Sequence, residues 1–315
     1  MKRGASNTNE YRQANPLMQN RLIQDPLVDA DWLKARLGNE ALRIMDASFK
    51  MPGTVPTARE DYAAAHLPGA TFFDIDTIAD RDTHLPHMFP DVTQFSRDIA
   101  ALGVNADCEI VLYDSGSWMA APRVWWMFRA FGYHDVRILD GGMKAWQAAH
   151  GEIVAAPTIP RATKADARFD SARFDPARIR SKSDLVANLE SQAEQVVDAR
   201  SRERFEGAVS EPWPGRVSGR IPGSFNVPFG DLIDAASGRM KPLAQLRVAF
   251  EQGGVDLARP IVTSCGSGVS AAVLNLALYR IGVQESALYD GSWAEWGLPG
   301  HVFDDGSGDL PIARG

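Results

Sequence analysis

The sequence predicts an α/β protein made of two tandem domains, each a mainly parallel sheet flanked by helices, and three observations carry that expectation. The chain has 315 residues, more than the roughly 100–200 of a usual single domain. The same landmarks recur in the same order in its two halves, which marks an internal repeat. Within each half, short apolar runs alternate with longer helical stretches, the pattern of βαβ units rather than of hairpins.

Bulk composition narrows the function classes. Hydrophobic residues at 45% and charged residues at 23% are ordinary for a folded globular chain. Forty acidic residues against 33 basic ones leave a net charge of −7. That balance repels nucleic-acid phosphate, and with no basic patch in sight no nucleic-acid partner is expected. No stretch of about 18 uncharged apolar residues occurs, so no membrane span is expected. There are two cysteines, Cys108 and Cys265, too few for a disulfide framework and suited to a reducing compartment; a cytoplasmic location is expected.

Taken in chain order, residues 1–20 are polar and without apolar period, and are expected to form a flexible tail. The first domain is expected over 21–155. It opens with the β-type run Leu42-Arg43-Ile44-Met45-Asp46, whose counterpart in the second half is Gln195-Val196-Val197-Asp198. His66-Leu67-Pro68-Gly69-Ala70 then matches Arg220-Ile221-Pro222-Gly223-Ser224, each leading into a further apolar run. Glu109-Ile110-Val111-Leu112-Tyr113-Asp114 matches Pro260-Ile261-Val262-Thr263-Ser264-Cys265, and Leu139-Asp140-Gly141-Gly142 matches Tyr289-Asp290-Gly291-Ser292. Counterparts stay about 152 residues apart, as from Asp46 to Asp198. Residues 156–177, without a clear period, are expected to be the linker. The second domain is expected over 178–302, and residues 303–315 as a C-terminal tail.

Chemistry concentrates on Cys265. It follows a buried-strand pattern and enters Gly266-Ser267-Gly268-Val269-Ser270, after which Ala271 to Leu278 reads as a buried helix. Glycines at this strand-to-helix turn let backbone N–H groups converge on one point, which the positive end of the helix dipole also faces. Such a cradle favours a thiolate and would hold a persulfide anion, so Cys265 is the expected nucleophile. The N–H groups of Gly266, Gly268, Val269 and Ser270 are the expected anion donors. Cys108 precedes a strand with no such turn and is expected to be structural. In the first half Asp114 stands where the second half has Cys265. Asp cannot carry sulfur, so the first domain is expected to be non-catalytic and the chain to have one active site.

These residues resemble the rhodanese superfamily, in particular its tandem-domain 3-mercaptopyruvate sulfurtransferases, from about residue 22 to 300. The resemblance rests on Cys265 to Ser270, on Ala121-Pro122-Arg123-Val124-Trp125-Trp126, on His66 to Ala70 with Asp74-Ile75-Asp76, and on Tyr289 to Trp293. It implies sulfur transfer from 3-mercaptopyruvate by way of a Cys265 persulfide to a thiol, such as thioredoxin or a small thiol, or to cyanide, with release of pyruvate and no cofactor or metal. It further implies that Ser267, Asp76 and His87 handle the donor's thiol proton. Arg204 falls where the family places a substrate arginine. A second family arginine belongs near residue 213, where this chain has Trp213, and Arg216 is the expected substitute; Arg220 replaces a usual His.

Two alternatives stand beside that reading. A thiosulfate sulfurtransferase is disfavoured because Gly266, Ser267 and Gly268 offer no cation to a dianionic donor. A module that only binds a partner or senses redox state predicts no sulfur on Cys265. Phosphatase chemistry on such a loop needs an arginine six positions after the cysteine, where this chain has Ala271.

Overall fold

The structure, a computed structural model of the chain, describes residues 25–155, 158–160, 173–300 and 309–315. The expected flexible tail over 1–20 and most of the expected linker lie outside them. The first half forms a five-stranded sheet from β1 (Leu27–Val28), β2 (Leu42–Asp46), β3 (Thr71–Phe72), β4 (Glu109–Tyr113) and β5 (Val136–Leu139), in the order β1-β5-β4-β2-β3. The second half repeats it with β6 (Ile179–Arg180), β7 (Gln195–Asp198), β8 (Phe225–Asn226), β9 (Ile261–Ser264) and β10 (Ala287–Tyr289), in the order β6-β10-β9-β7-β8. Every pairing is parallel. All four residues of β7 and of β9 are buried, as expected of parallel strands covered on both faces.

Helices flank both sheets. They are α1 (Ala30–Lys34), α2 (Ala58–Ala64), α3 (Val92–Ala101), α4 (Ala121–Ala130) and α5 (Gly142–Ala148) in the first domain. The second has α6 (Lys182–Ser191), α7 (Arg202–Glu206), α8 (Leu243–Gln252), α9 (Ala271–Arg280) and α10 (Ser292–Trp296). Several begin where the sequence supplies a cap: Thr57 with Glu60, and Ser181 with Asp184, each form a reciprocal capping box.

The domains meet along α4 and α9, the helices that follow the two equivalent loops. Every residue of α4 except Arg129 is buried, as are Ala271 to Leu278 of α9. A helix apolar on all sides needs a partner on each of them, and these two find one across the domain boundary. Trp125 meets Tyr279 edge-on with ring centroids 5.5 Å apart. One apolar core contains residues of both halves, among them Phe95, Trp125, Leu246 and Leu274.

The connections after β3 and β8 are exchanged between domains in a pseudo-two-fold manner. Phe89 N–H, in the first domain, donates to Asp290 Oδ2 of the second at 2.7 Å. Met240 N–H, in the second, donates to Asp140 Oδ1 of the first at 3.0 Å, while Trp118 Nε1 donates to Gly238 O at 2.6 Å. Each domain thus covers the other's strand-to-helix loop.

Two stretches expected outside the domains are packed against them. The end of the stretch expected as linker is packed, since Phe174 lies 5.2 Å from the ring of Phe131 and Asp175 N–H donates to Ala130 O at 2.8 Å. The stretch expected as a C-terminal tail is docked over residues 309–315. Leu310 is buried, Ala313 pairs with Arg220 in an antiparallel bridge, and Trp296 Nε1 donates to Pro311 O at 3.0 Å. The apolar Leu310 and Ile312 find a place beside Val217 and Trp296 that local polarity does not announce.

Candidate active site

Strand β9 delivers Cys265 into the turn that opens α9, and the polarity of that turn is sorted. Its carbonyls are tied back: Cys265 O accepts from Trp293 N–H at 3.0 Å, Gly266 O from Ala294 N–H at 2.7 Å, and Gly268 O from Arg123 Nη1 at 3.3 Å. Cys265 N–H is tied as well, donating to Ser292 Oγ at 3.1 Å. Among the described residues the N–H groups of Gly266 to Ser270 donate to no protein acceptor, which leaves them for an anion beside the cysteine. Cys265 is 1% exposed and Ser267 7%.

Gly268 shows why a glycine is needed here. Its φ is +74°, in the left-handed region, and a β-carbon there would lie 2.7 Å from Asp290 O.

The first domain's equivalent loop holds its own anion. The Asp114 carboxylate accepts from Gly116 N–H at 2.8 Å, and the N–H groups of Trp118 and Ala121 also turn toward it, although Oδ2 completes no hydrogen bond. Burial outweighs these donors and pushes the Asp114 carboxyl up to about 6.

Arg204 sits against the cysteine loop: its Nη2 lies 3.0 Å from where a β-carbon on Gly266 would be. The guanidinium is held by Glu211, with Nε donating to Oε1 at 3.2 Å and Nη2 to Oε2. Glu211 is itself anchored by Arg200 Nη1 at 2.9 Å. Arg200 is fully buried and paired to Asp198 at 2.6 Å, and its guanidinium carbon stands 4.4 Å from the ring of Trp293. Burial opposes the charge of Arg200, yet Asp198 and then Glu211 outweigh it and hold the guanidinium pKa above its ordinary value. Arg216 is differently placed. Its Nε donates to Ala294 O at 3.1 Å and its Nη1 to Pro214 O at 2.9 Å, so two of its nitrogens already serve backbone carbonyls.

His87 and Asp76 come from the connection after β3. Nδ1 of His87 lies 3.0 Å from Asp76 Oδ1, within ion-pair range but off the line of a hydrogen bond, and neither ring nitrogen completes one. The ring is 2% exposed, whereas the Asp76 carboxylate is 63% exposed. Phe49 stands edge-on to the His87 ring with centroids 5.0 Å apart, and Trp213 with centroids 6.1 Å apart. The His87 turn, the Arg204–Arg216 segment and the cysteine loop therefore converge. A surface hollow of about 480 Å³ lined by Arg202, Asp231, Lys241 and Gln245, among others, shares no residue with this cluster.

Several residues here were not singled out for roles from the sequence. Glu211, Arg200 and Asp198 form the ion-pair chain behind Arg204, and Ser292 and Arg123 brace the loop. The available signal was a charged Arg123 within the otherwise apolar Ala121 to Phe128, and the Asp-Gly landmark at Asp290. Trp293 and Trp296 prove to be core residues, 1% and 0% exposed. Among the described residues, no group of three or more His, Cys, Asp or Glu side chains is arranged to hold a metal ion, and no helix is long and apolar enough to cross a membrane.

The duplicated parallel sheet with a cysteine in the second strand-to-helix cradle defines a tandem-domain protein of the rhodanese class. The rhodanese-like domain model matches residues 29–149 and 181–298, and the chain belongs to that family. It is 40% identical over 291 residues to the human (Homo sapiens) 3-mercaptopyruvate sulfurtransferase, covering 90% of this chain and 96% of that one. It is 38% identical over 288 residues to the Arabidopsis thaliana thiosulfate/3-mercaptopyruvate sulfurtransferase 2, covering 86% of this chain and 84% of that one. The crystal structure of the Escherichia coli 3-mercaptopyruvate sulfurtransferase SseA superposes with a TM-score of 0.76 at 35% identity, covering 86% of this chain and 99% of that one.

Proposed function

We propose that the protein moves sulfur from 3-mercaptopyruvate to a thiol or to cyanide, with Cys265 as the carrier, in the second of two rhodanese domains. The observation that carries this reading is the cysteine loop itself, with its carbonyls tied back, its N–H groups free, and the Arg204 guanidinium laid against it. The relatives named above support the donor.

The donor's carboxylate docks on Arg204, whose planar fork suits it. Arg216 contributes positive potential from behind Ala294. The Cys265 thiolate attacks the donor's sulfur; the new S–S bond forms as the C–S bond breaks, and the electron pair leaves on carbon as pyruvate enolate. The donor's thiol proton passes by way of Ser267, His87 and Asp76 and ends on that carbon, giving pyruvate and a Cys265 persulfide. The N–H groups of Gly266 to Ser270 hold the terminal sulfur anion. A second thiolate, of thioredoxin or of a small thiol, or cyanide, then attacks the outer sulfur and releases the Cys265 thiolate. The cycle balances without oxidant, metal or organic cofactor.

The dual name of the plant relative keeps thiosulfate as a second reading. A dianionic donor would meet one guanidinium, already shared with Glu211, and no cation from residues 266–270. Parallel steady-state turnover with the two donors and a common thiol acceptor tests this. A preference for 3-mercaptopyruvate is expected, and a preference for thiosulfate would overturn the electrostatic argument.

A further inference from the structure

Sulfur transfer as proposed above needs two backbone turns from different domains held at one separation, the turn carrying His87 and the loop carrying Cys265. Both adopt left-handed geometry: His87 has φ 60° and Gly268 φ 74°, and for a side chain with a β-carbon that geometry is disfavoured. The same side chain holds the two turns. Arg123 lies in α4 and is fully buried. Its Nη2 donates to His87 O at 2.6 Å and to Asp290 Oδ1 at 2.7 Å, and its Nη1 donates to Gly268 O at 3.3 Å.

Asp290 completes the arrangement from the second domain. Its Oδ2 accepts from Phe89 N–H at 2.7 Å, two residues beyond His87, and the Phe89 ring lies 4.3 Å from the guanidinium carbon of Arg123. The ion pair therefore grips the His87 turn from both sides, by a carbonyl and by an N–H. At the same time it grips the cysteine loop at Gly268. Buried ion pairs add little net stability compared with apolar packing of the same volume, so stability alone is a weak reason for an arginine within an apolar helix. A planar fork that reaches two carbonyls and a carboxylate at once is a task a point charge cannot perform.

We propose that Arg123 is a positioning residue which, with Asp290, sets His87 against the Cys265 loop across the domain boundary; this rests on the sulfur-transfer reading of both residues. The test is a double-mutant cycle of Arg123→Met and His87→Ala, singly and combined, on pyruvate release from 3-mercaptopyruvate with a small thiol acceptor. Arg123→Met should lower kcat about tenfold or more while KM stays within about threefold, because Arg204 is untouched. In the His87→Ala background the same change should cost at least about threefold less than it does in the wild type, since only the hold on Gly268 O is then left to lose.

Multiplying effects, an Arg123→Met enzyme with more than half of normal kcat, or a KM that rises as much as kcat falls would each overturn the proposal. Should the Met variant fail to fold, Arg123→Lys, which keeps the charge but not the fork, runs through the same cycle with the same criteria. The two readings separate cleanly. A wild-type protein that releases no pyruvate refutes the donor assignment, whereas a wild type that turns over and a cycle that is additive refutes only the role of Arg123.

Discussion

Replacing Asp114 by Asn should change how stability depends on pH, by an amount the structure sets. The Asp114 carboxyl is fully buried and pushed up from 3.8 to about 6. A folded-state pKa above the unfolded one means that the native state holds a proton the unfolded state has already lost. The group's contribution to stability is therefore complete below about pH 4, declines as pH rises toward about 6, and is flat above that. At about 1.4 kcal/mol per pH unit, the difference is about 3 kcal/mol. Other carboxyls shift both ways, Asp46 and Asp140 upward through burial and Glu60 and Asp234 downward through their hydrogen bonds, so the useful quantity is the gap between wild type and Asp114→Asn. Denaturant unfolding of both proteins at pH 4 and pH 7.5 measures it. The variant should gain about 2.5 kcal/mol on the wild type between the two pH values, a little under the full difference because pH 4 lies just above the unfolded-state pKa. Parallel curves would refute the idea that a buried anion in the first domain's loop takes the place of sulfur in the second.

Other changes follow from the same geometry. Gly268→Ala forces a β-carbon to within 2.7 Å of Asp290 O at a left-handed φ, and should cost about 1–3 kcal/mol in thermal unfolding with a larger loss of turnover. Arg204→Ala should lower kcat/KM for 3-mercaptopyruvate about tenfold or more, a loss of at least roughly 1.4 kcal/mol; a change within about twofold would show that it is no clamp. Removing residues 309–315 takes away Leu310 and the partner of Arg220 and frees Gly219, whose carbonyl serves Arg200. The truncated protein should melt at a lower temperature and show a raised KM, and an unchanged KM would separate the segment from the Arg204 chain.

Much of this architecture was legible in the chain because it is local or repeated. The strand landmarks at Asp46 and Asp198, and at Asp114 and Cys265, fall in equivalent places, and both sheets show the same strand order. The glycines after Cys265 announced the turn because Gly268 takes a backbone angle that other residues avoid. What stayed hidden depends on distance in sequence. Arg123 and Asp290 are 167 positions apart, and neither carries a local sign of its partner. Glu211 reads as a loop acid until Arg200 and Arg204 are seen to close on it. The docking of Leu310 is invisible because a single apolar residue near a chain end has no period.

The substitution of Trp213 at a position often basic in the family gains meaning from its neighbours. It stands edge-on to His87 and so sets an apolar ring beside the His87 turn. Arg216 keeps its Nε and Nη1 on Ala294 O and Pro214 O. In the proposed cycle Arg204, held by Glu211, is the arginine that meets the donor's carboxylate.

The most direct test of the account is the mass of the peptide containing Cys265 after brief exposure of the protein to 3-mercaptopyruvate without acceptor, with pyruvate measured in the same sample. One added sulfur atom on Cys265 and one pyruvate per chain are expected, and neither product from Cys265→Ser. Pyruvate release by the Ser variant, or an unmodified Cys265 in the wild type, would contradict it.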